Sequence, residues 1–324
     1  TKRVREWLDR ETGLALLVVD DPARERIVGY GSLWQELERE NECYVAVLNV
    51  HPTYQGKSLA RRMLTQMVDQ AADLGYRLMT IETWPSNLKS VPLYKKVGFF
   101  WKPDTSVHME NFVPLIRQMP VAQGYFERHD WYTSFQRELL QVEDDQKHGP
   151  MKVYRYHWEE GGESLSVLID REAKAVTGLE TPNMVAYAEV NEIEPAHGLP
   201  YAVRWRVTNK RSAAVNVSIL ASGDPGVQIS QQSAFLLEGG QERVVEGTVT
   251  ISPDIEPVKK SRPAPCFKTV LVVGGDVVEL GTGVRPRPAT KISIHPAHPV
   301  LLPGQTGVVH VQLHNQLDRQ VEGV

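Results

Sequence analysis

Hydrophobic and polar positions change period twice along this chain of 324 residues. Leu14 to Asp20 and Tyr44-Val45-Ala46-Val47-Leu48-Asn49-Val50 read as strands, short apolar runs bounded by polar turns. After the second run, Ala60, Met63, Leu64, Met67, Val68, Ala71 and Leu74 repeat at three and four residues. That spacing places them on one buried helix face, and Gly75 supplies the C-terminal stop. Tyr76 to Trp84 predicts a further strand, ended by Pro85-Ser86-Asn87. Pro92 suits the first turn of a short helix and Gly98 its end. The order is that of an α/β unit.

From Met119 to Gly149 the chain turns aromatic and charged, densest at Tyr125-Phe126-Glu127-Arg128-His129-Asp130-Trp131-Tyr132, and Thr133 to Val142 predicts a helix. This connector is expected to wrap the unit before it. His129 and Asp130 are neighbours that share no helix face, so they read as packing rather than chemistry. Beyond Met151 the period becomes two, in Val153 to Trp158, Leu165 to Ile169, Val203 to Val207 and Val215 to Ile219. Glu160-Gly161-Gly162, Gly223-Asp224-Pro225-Gly226 and Glu238-Gly239-Gly240 punctuate them. Short strands separated in this way predict an all-β sandwich. At the level of strand pattern, residues 185 to 287 resemble the immunoglobulin-like or fibronectin-like modules appended to bacterial enzymes. Pro286-Arg287-Pro288 reads as a stiff linker, and Lys291 to Ile294 with Val308 to Leu313 begins strands too few to fold alone. The predicted organisation is an α/β domain over 1–118, a connector over 119–150, a β-rich region over 151–287 and an incomplete second β-domain over 288–324.

Composition narrows the function classes. With 41% hydrophobic and 23% charged residues the chain is that of an ordinary soluble globular protein, and a net charge of −4 gives no basic footprint for nucleic acid. No apolar run approaches membrane-spanning length and no signal peptide opens the chain, so no membrane partner and a cytoplasmic location are expected. Cys43 and Cys266 stand far apart and read as reduced and structural. His295, His298, His310 and His314 lack an acidic or cysteine partner and read as solvent-facing strand histidines, so no metal is expected. Trp205 reads as core, which weakens a carbohydrate-binding role for the sandwich.

The candidate chemistry begins at Gln55-Gly56-Lys57-Ser58-Leu59-Ala60, the turn between the second strand and the amphipathic helix. The first N–H groups of a helix have no intrahelical partner and carry the positive end of its dipole, so they can hold a diphosphate. A glycine and a lysine before a helix also recur in ordinary tight loops, so the neighbours decide. Asn87 is followed seven residues later by Tyr94, within Leu93-Tyr94-Lys95-Lys96-Val97-Gly98-Phe99. Gln55, Ala60, Asn87, Leu93, Tyr94, Gly98 and Phe99 together resemble the signature of the GNAT superfamily of acetyl-CoA-dependent N-acetyltransferases, Q/R-x-x-G-x-G/A followed by N-x-x-A-x-x-L-Y and G-F. The resemblance covers residues 14 to 118. Ser58 stands where the central glycine is usual, which is tolerable if Ser58 has helical dihedrals, and Ser90 stands where alanine is common.

The resemblance implies a mixed central sheet flanked by helices, acetyl-CoA as cosubstrate, an amine acceptor and frequent pairing into homodimers. It implies that two central strands splay to admit pantetheine, with backbone near Leu48 and Val50 bonding its amides and polarising the thioester carbonyl. The amides of Lys57, Ser58, Leu59 and Ala60, beside Gly56, would face the pyrophosphate, and Asn87 would contact the cofactor. Lys57 itself points to solvent in this reading. Tyr94 would protonate the leaving CoA thiolate; the bland alternative is a ring packed into a helix–strand corner. Glu42, on the same strand face as Tyr44, is the first candidate for the base that frees the amine, with Glu82 or water as alternatives. Family members place a strand and two helices, the acceptor wall, before Leu14, where this chain has only Thr1 to Gly13, the expected remnant of one helix. The chain is therefore expected to be a fragment. The competing function is a non-catalytic CoA-sensing or scaffolding protein whose β-domains bind a protein or glycan partner.

Overall fold

The computed structural model describes residues 13–255, 264–296, 306–315 and 317. The expected helix remnant and His298 lie outside the described residues.

The first unit opens with β1 (Gly13–Asp21), β2 (Arg26–Gln35) and β3 (Glu42–Val50), followed by helix α1 (Leu59–Asp73) and β4 (Leu78–Thr83). Helix α2 (Val91–Lys96), β5 (Phe100–Trp101) and β6 (Val107–Asn111) complete the sheet, and α3 (Val113–Gln118) and α4 (Pro120–Phe126) lead out of it. The strands run β1-β2-β3-β4-β6-β5, antiparallel except for β3 beside β4. Of the predicted stripe on α1, Met63, Leu64, Met67, Val68 and Ala71 are buried, Ala60 is half-buried and Leu74, at the helix end, is exposed; Ala72 is buried as well. Gly75 ends the helix in the left-handed conformation at φ 83°.

The rest of the described chain is almost wholly strand: β7 (Phe135–Gln136), β8 (Gln146–His148), β9 (Met151–Glu160), β10 (Glu163–Asp170), β11 (Ala175–Glu180), β12 (Met184–Val190), β13 (Pro200–Asn209), β14 (Val215–Gly223), β15 (Val227–Ile229), β16 (Gln231–Leu237), β17 (Glu242–Ile251), β18 (Cys266–Val273), β19 (Asp276–Gly283), β20 (Thr290–Pro296) and β21 (Val309–Asn315). Among the described residues, one sheet of nine strands runs β15-β17-β13-β12-β11-β10-β9-β7, with β8 also beside β9. A four-stranded sheet, β16-β14-β18-β19, packs on it. Side chains bridge the two layers: Trp205 is fully buried and donates its indole N–H to Thr269 at 2.8 Å, and Thr177 meets Thr282 at 2.9 Å. Trp205 is therefore core. Gly161 and Gly162, at φ 62° and 82°, make the two-residue turn that pairs Glu160 with Glu163. β20 and β21 form a separate hairpin with His295 opposite His310.

One predicted element is corrected. Thr133 to Val142 is not a helix: Phe135 and Gln136 pair with Trp158 and His157 of β9, and Leu139, Leu140 and Val142 are exposed. Helix propensity there loses to the burial of one ring, Phe135, which packs on Tyr156 and Trp158 with centroids 5.8 and 5.1 Å away. The connector and the β-rich region thus share a sheet.

The two units also share a core. Tyr154, Tyr156 and Trp158 alternate along β9 and are buried against the first unit. Tyr154 donates to Glu110 at 3.0 Å, Tyr156 to the Gly98 carbonyl at 3.0 Å, and Trp158 to the Trp131 carbonyl at 2.8 Å. Gly98 is obligatory in this corner. Its φ is 97°, and a Cβ there would lie 2.6 Å from Val113.

Candidate active site

The cleft begins as a defect in the sheet. β3 pairs with β4 only through Glu42, Cys43 and Tyr44, and beyond Tyr44 the two strands part. Against β2, Val45 pairs with Leu33 and Val47 with Ser32, so Ala46 is an extra residue, a β-bulge. A bulge bends its strand and sharpens its twist, and here it sits two residues past the last β3–β4 pair. The sequence thereby opens a wedge between parallel strands, leaving the β4-facing backbone of β3 without a strand partner.

A cleft of about 700 Å³ occupies the mouth of that wedge. Leu48 and Val50 line it from β3, Gln55, Gly56, Ser58, Leu59 and Ala60 from the turn into α1, and Asn87 and Tyr94 from the segment after β4. The sequence-predicted residues are thus gathered on one surface, with three exceptions, Lys57, Glu42 and Glu82. Lys57 turns its ammonium onto the Tyr54 ring, 4.8 Å from the centroid. Glu42 stands at the opposite end of β3, about 26 Å of extended chain from Val50. Its carboxylate is buried and bonded to Lys174 at 2.6 Å and Arg39 at 3.2 Å. The expectation of Glu42 as base is corrected: two cations hold it away from the cleft.

The turn presents bare amides. Gln55 donates its side-chain amide to the Val50 carbonyl at 3.3 Å, and Gly56 turns the chain at φ 78°. The first helical bond runs from Arg62 N–H to the Ser58 carbonyl at 3.0 Å. The N–H groups of Leu59, Ala60 and Arg61 precede that bond and have no acceptor within the helix. Ser58 differs from expectation. It has φ 61° and ψ 16°, left-handed rather than helical, because the chain must reverse before entering α1. A non-glycine residue there costs about 1–2 kcal/mol.

The inner wall is a chain of polar contacts. Asn87 donates to Thr83 at 2.9 Å, and Ser90 donates to Asn87 at 3.1 Å. Tyr94 is buried, its ring edge-on to Phe99 with centroids 6.3 Å apart. Burial pushes its phenol above the usual range, while a hydrogen bond to Ser90 acts the other way. Tyr94 both packs and lines the cleft, so the two readings of its sequence position coexist.

Glu82 does not line the cleft. It is exposed near the end of β4 and meets His108 Nδ1 at 2.8 Å. Burial lowers the pKa of His108, but hydrogen bonds to Glu110 and Glu82, with their charges, outweigh it and the net shift is upward. Sequence reasoning missed Arg61, Trp84 and Tyr132 as cleft residues. Trp84 and Arg61 adjoin motif positions, whereas only the aromatic density of the connector hinted at Tyr132. Among the described residues no group of three or more His, Cys, Asp or Glu is gathered to hold a metal, and none of the helices is long and apolar enough to cross a membrane. Burial pushes the Cys43 and Cys266 thiols up to about 12, which leaves both inert.

Comparison with known proteins finds relatives of the first unit. Residues 1–99 match the acetyltransferase (GNAT) family. The match ends at Phe99, the last residue of the GNAT signature, and leaves the β-rich part unmatched by that model. An L-amino acid N-acyltransferase of Escherichia coli is 27% identical over 95 residues, 29% of this chain and 55% of that protein. A spore coat polysaccharide biosynthesis protein of Bacillus subtilis is 30% identical over 96 residues, 29% of this chain and 32% of that protein. The alignments span about half the length of the first relative and a third of the second. Among solved structures, an Escherichia coli GNAT family N-acetyltransferase in complex with CoA is 22% identical, with a TM-score of 0.29 and coverage of 35% of this chain and 66% of that one.

Proposed function

We propose that this protein is an acyltransferase that moves the acetyl group of acetyl-CoA to a primary amine by direct attack in a ternary complex. The observation that carries the reading is the wedge. Unpaired β3 backbone, a run of amides without an acceptor in the helix at the start of α1, and Tyr94 line a single cleft. A pantetheine arm fits the first as an added strand, a diphosphate fits the second, and a thiolate needs a proton donor such as the third. A backbone N–H near Val50 stabilises the oxyanion, and the protonated Tyr94 phenol completes the leaving thiol as the tetrahedral intermediate collapses. With Glu42 withdrawn and Glu82 outside the cleft lining, a water takes the proton from the ammonium. Freeing an amine of pKa near 10.4 at neutral pH costs about 4.6 kcal/mol, so some base is required. A cytoplasmic location, where acetyl-CoA is available, belongs to the same proposal.

Calorimetric titration with CoA, followed by thiol release from acetyl-CoA against a panel of amines, tests the reading. CoA binding with amine-dependent release is the expected result. Absence of CoA binding overturns it, and binding without release against every class of amine favours the sensing or scaffolding alternative.

A further inference from the structure

A second cavity, of about 250 Å³, lies between α2, the connector and β9. It shares no lining residue with the cleft around Tyr94. Phe99, Phe100 and Phe135 give it aromatic walls. Most polar groups around it are already bonded. Lys95 donates to Asp144 and to the Val142 carbonyl, each at 2.9 Å, and Asp144 accepts the Trp101 N–H at 2.6 Å, so that pair is neutral and complete. Gln146 accepts the Arg155 N–H at 3.0 Å, and His157 meets Ser166 at 2.8 Å.

Two guanidinium groups are left over. The Arg137 guanidinium carbon lies 4.7 Å from the centroids of both the Tyr132 and the Phe135 rings. Its Nη2 donates to the Tyr132 carbonyl at 2.8 Å, while Nη1 is buried and has no acceptor among the described residues. Burial accordingly pulls the Arg137 pKa below its ordinary value. Arg155 bonds the neutral phenol of Tyr187. The carboxylate contacts around the cavity join Lys95 to Asp144 and His157 to Glu159; among the described residues neither arginine pairs with a carboxylate. Glu138, the remaining acid of the lining, is exposed, where water screens its charge.

Aromatic walls beside two cations that lack a counter-ion fit an anion with a flat apolar body. A volume below the about 300 Å³ at which drug-sized pockets begin makes that anion small. We propose that the cavity binds a small aromatic carboxylate, its charged group meeting Arg137 and Arg155 and its ring lying against the phenylalanines. This acid is not the acyl acceptor, since the cavity and the cleft have separate walls. It nonetheless adjoins the cleft at two points: Phe99 meets the Tyr94 ring with centroids 6.3 Å apart, and Arg137 covers the Tyr132 ring in the cleft wall. The inference is independent of the CoA reading.

Saturation-transfer NMR on the full chain tests it, with benzoate as the probe and benzamide and benzylamine as neutral and cationic controls of similar shape. Benzoate is expected to bind at least about tenfold more tightly than either control, and to stay bound when CoA is added to saturation. Arg137→Gln and Arg155→Gln should each weaken benzoate about tenfold and leave benzamide within about twofold. No benzoate binding, equal binding of benzoate and benzamide, displacement by CoA, or full affinity in both variants overturns the proposal. Should Arg137→Gln fail to fold, Arg155→Gln, at an exposed position on β9, decides alone. A failure of CoA to bind counts against the proposed reaction and not against this site.

Discussion

Tyr94 is enclosed by Phe99 and Ser90 yet reaches the cleft, and burial keeps its phenol protonated across the neutral range. In the proposed role of proton donor to CoA it should tolerate neither loss nor ionisation. Tyr94→Phe is expected to lower kcat by about 10²- to 10⁴-fold with CoA affinity unchanged, measured by thiol release and calorimetry. The wild-type rate should show no alkaline decline below about pH 10, the ordinary tyrosine value. Ser58 carries the opposite kind of signal, a residue in the wrong conformation for its type. Ser58→Gly should raise stability by about 1 kcal/mol, read as a higher urea midpoint at constant slope, and should leave CoA binding intact. An unchanged midpoint would mean that the left-handed turn is not strained.

At the scale of elements, the bulge at Ala46 and the buried group at Glu110 carry the consequences. Glu110 is enclosed beneath β9, where burial raises its pKa but the hydrogen bond from His108 and the charges of Lys102, Lys174 and His108 bring it down to about 2. Its folded value lies below the ordinary 4.5, so its contribution is complete above that pH and is lost as pH falls toward 2. His108 is shifted upward, so its contribution is complete below 6.5 and is lost as pH rises through the higher folded value. Stability from this pair should therefore peak between those limits. Glu110→Gln should flatten the acid limb of a plot of urea midpoint against pH, by on the order of 3 kcal/mol. Much of this level was legible in the sequence. The α1 stripe, the strands at β3, β4, β9, β10, β13 and β14, and the glycine turns follow from local period and turn chemistry. Two features were not. The bulge depends on how Ser32 and Leu33 register against β3, and the Thr133–Val142 helix was overruled by a ring pairing 23 residues away, Phe135 with Trp158. Long-range register leaves no local trace. Glu42 was misplaced for the same reason: nothing near it in sequence announces Lys174.

For the whole molecule, Glu42 and Lys174 are the deciding pair, because they join β3 of the first unit to the turn between β10 and β11 at 2.6 Å, with Glu42 buried and the Lys174 side chain nearly so. Lys174→Ala leaves the buried Glu42 carboxylate with Arg39 alone, so it should destabilise the chain by less than the roughly 3–5 kcal/mol of a buried pair broken outright. The double replacement Glu42→Leu with Lys174→Met should recover much of that loss, read by urea unfolding. Any fall in activity of Glu42→Gln should follow its stability and leave the pH–rate profile unmoved; a shifted profile would restore Glu42 as a base. The donor contacts of Tyr154, Tyr156 and Trp158 extend the same linkage, Tyr156 reaching the corner at Gly98 just after α2.

That row of rings sets an order of events during synthesis. The first unit leaves the ribosome before β9, so the carbonyl of Gly98 must wait for Tyr156, and Glu110, held until then by His108 and Lys102, gains its bond from Tyr154 only afterwards. A nascent chain ending before residue 158 therefore carries an unfinished corner beside Tyr94, and acquires a settled cleft only as the β-rich region begins to emerge.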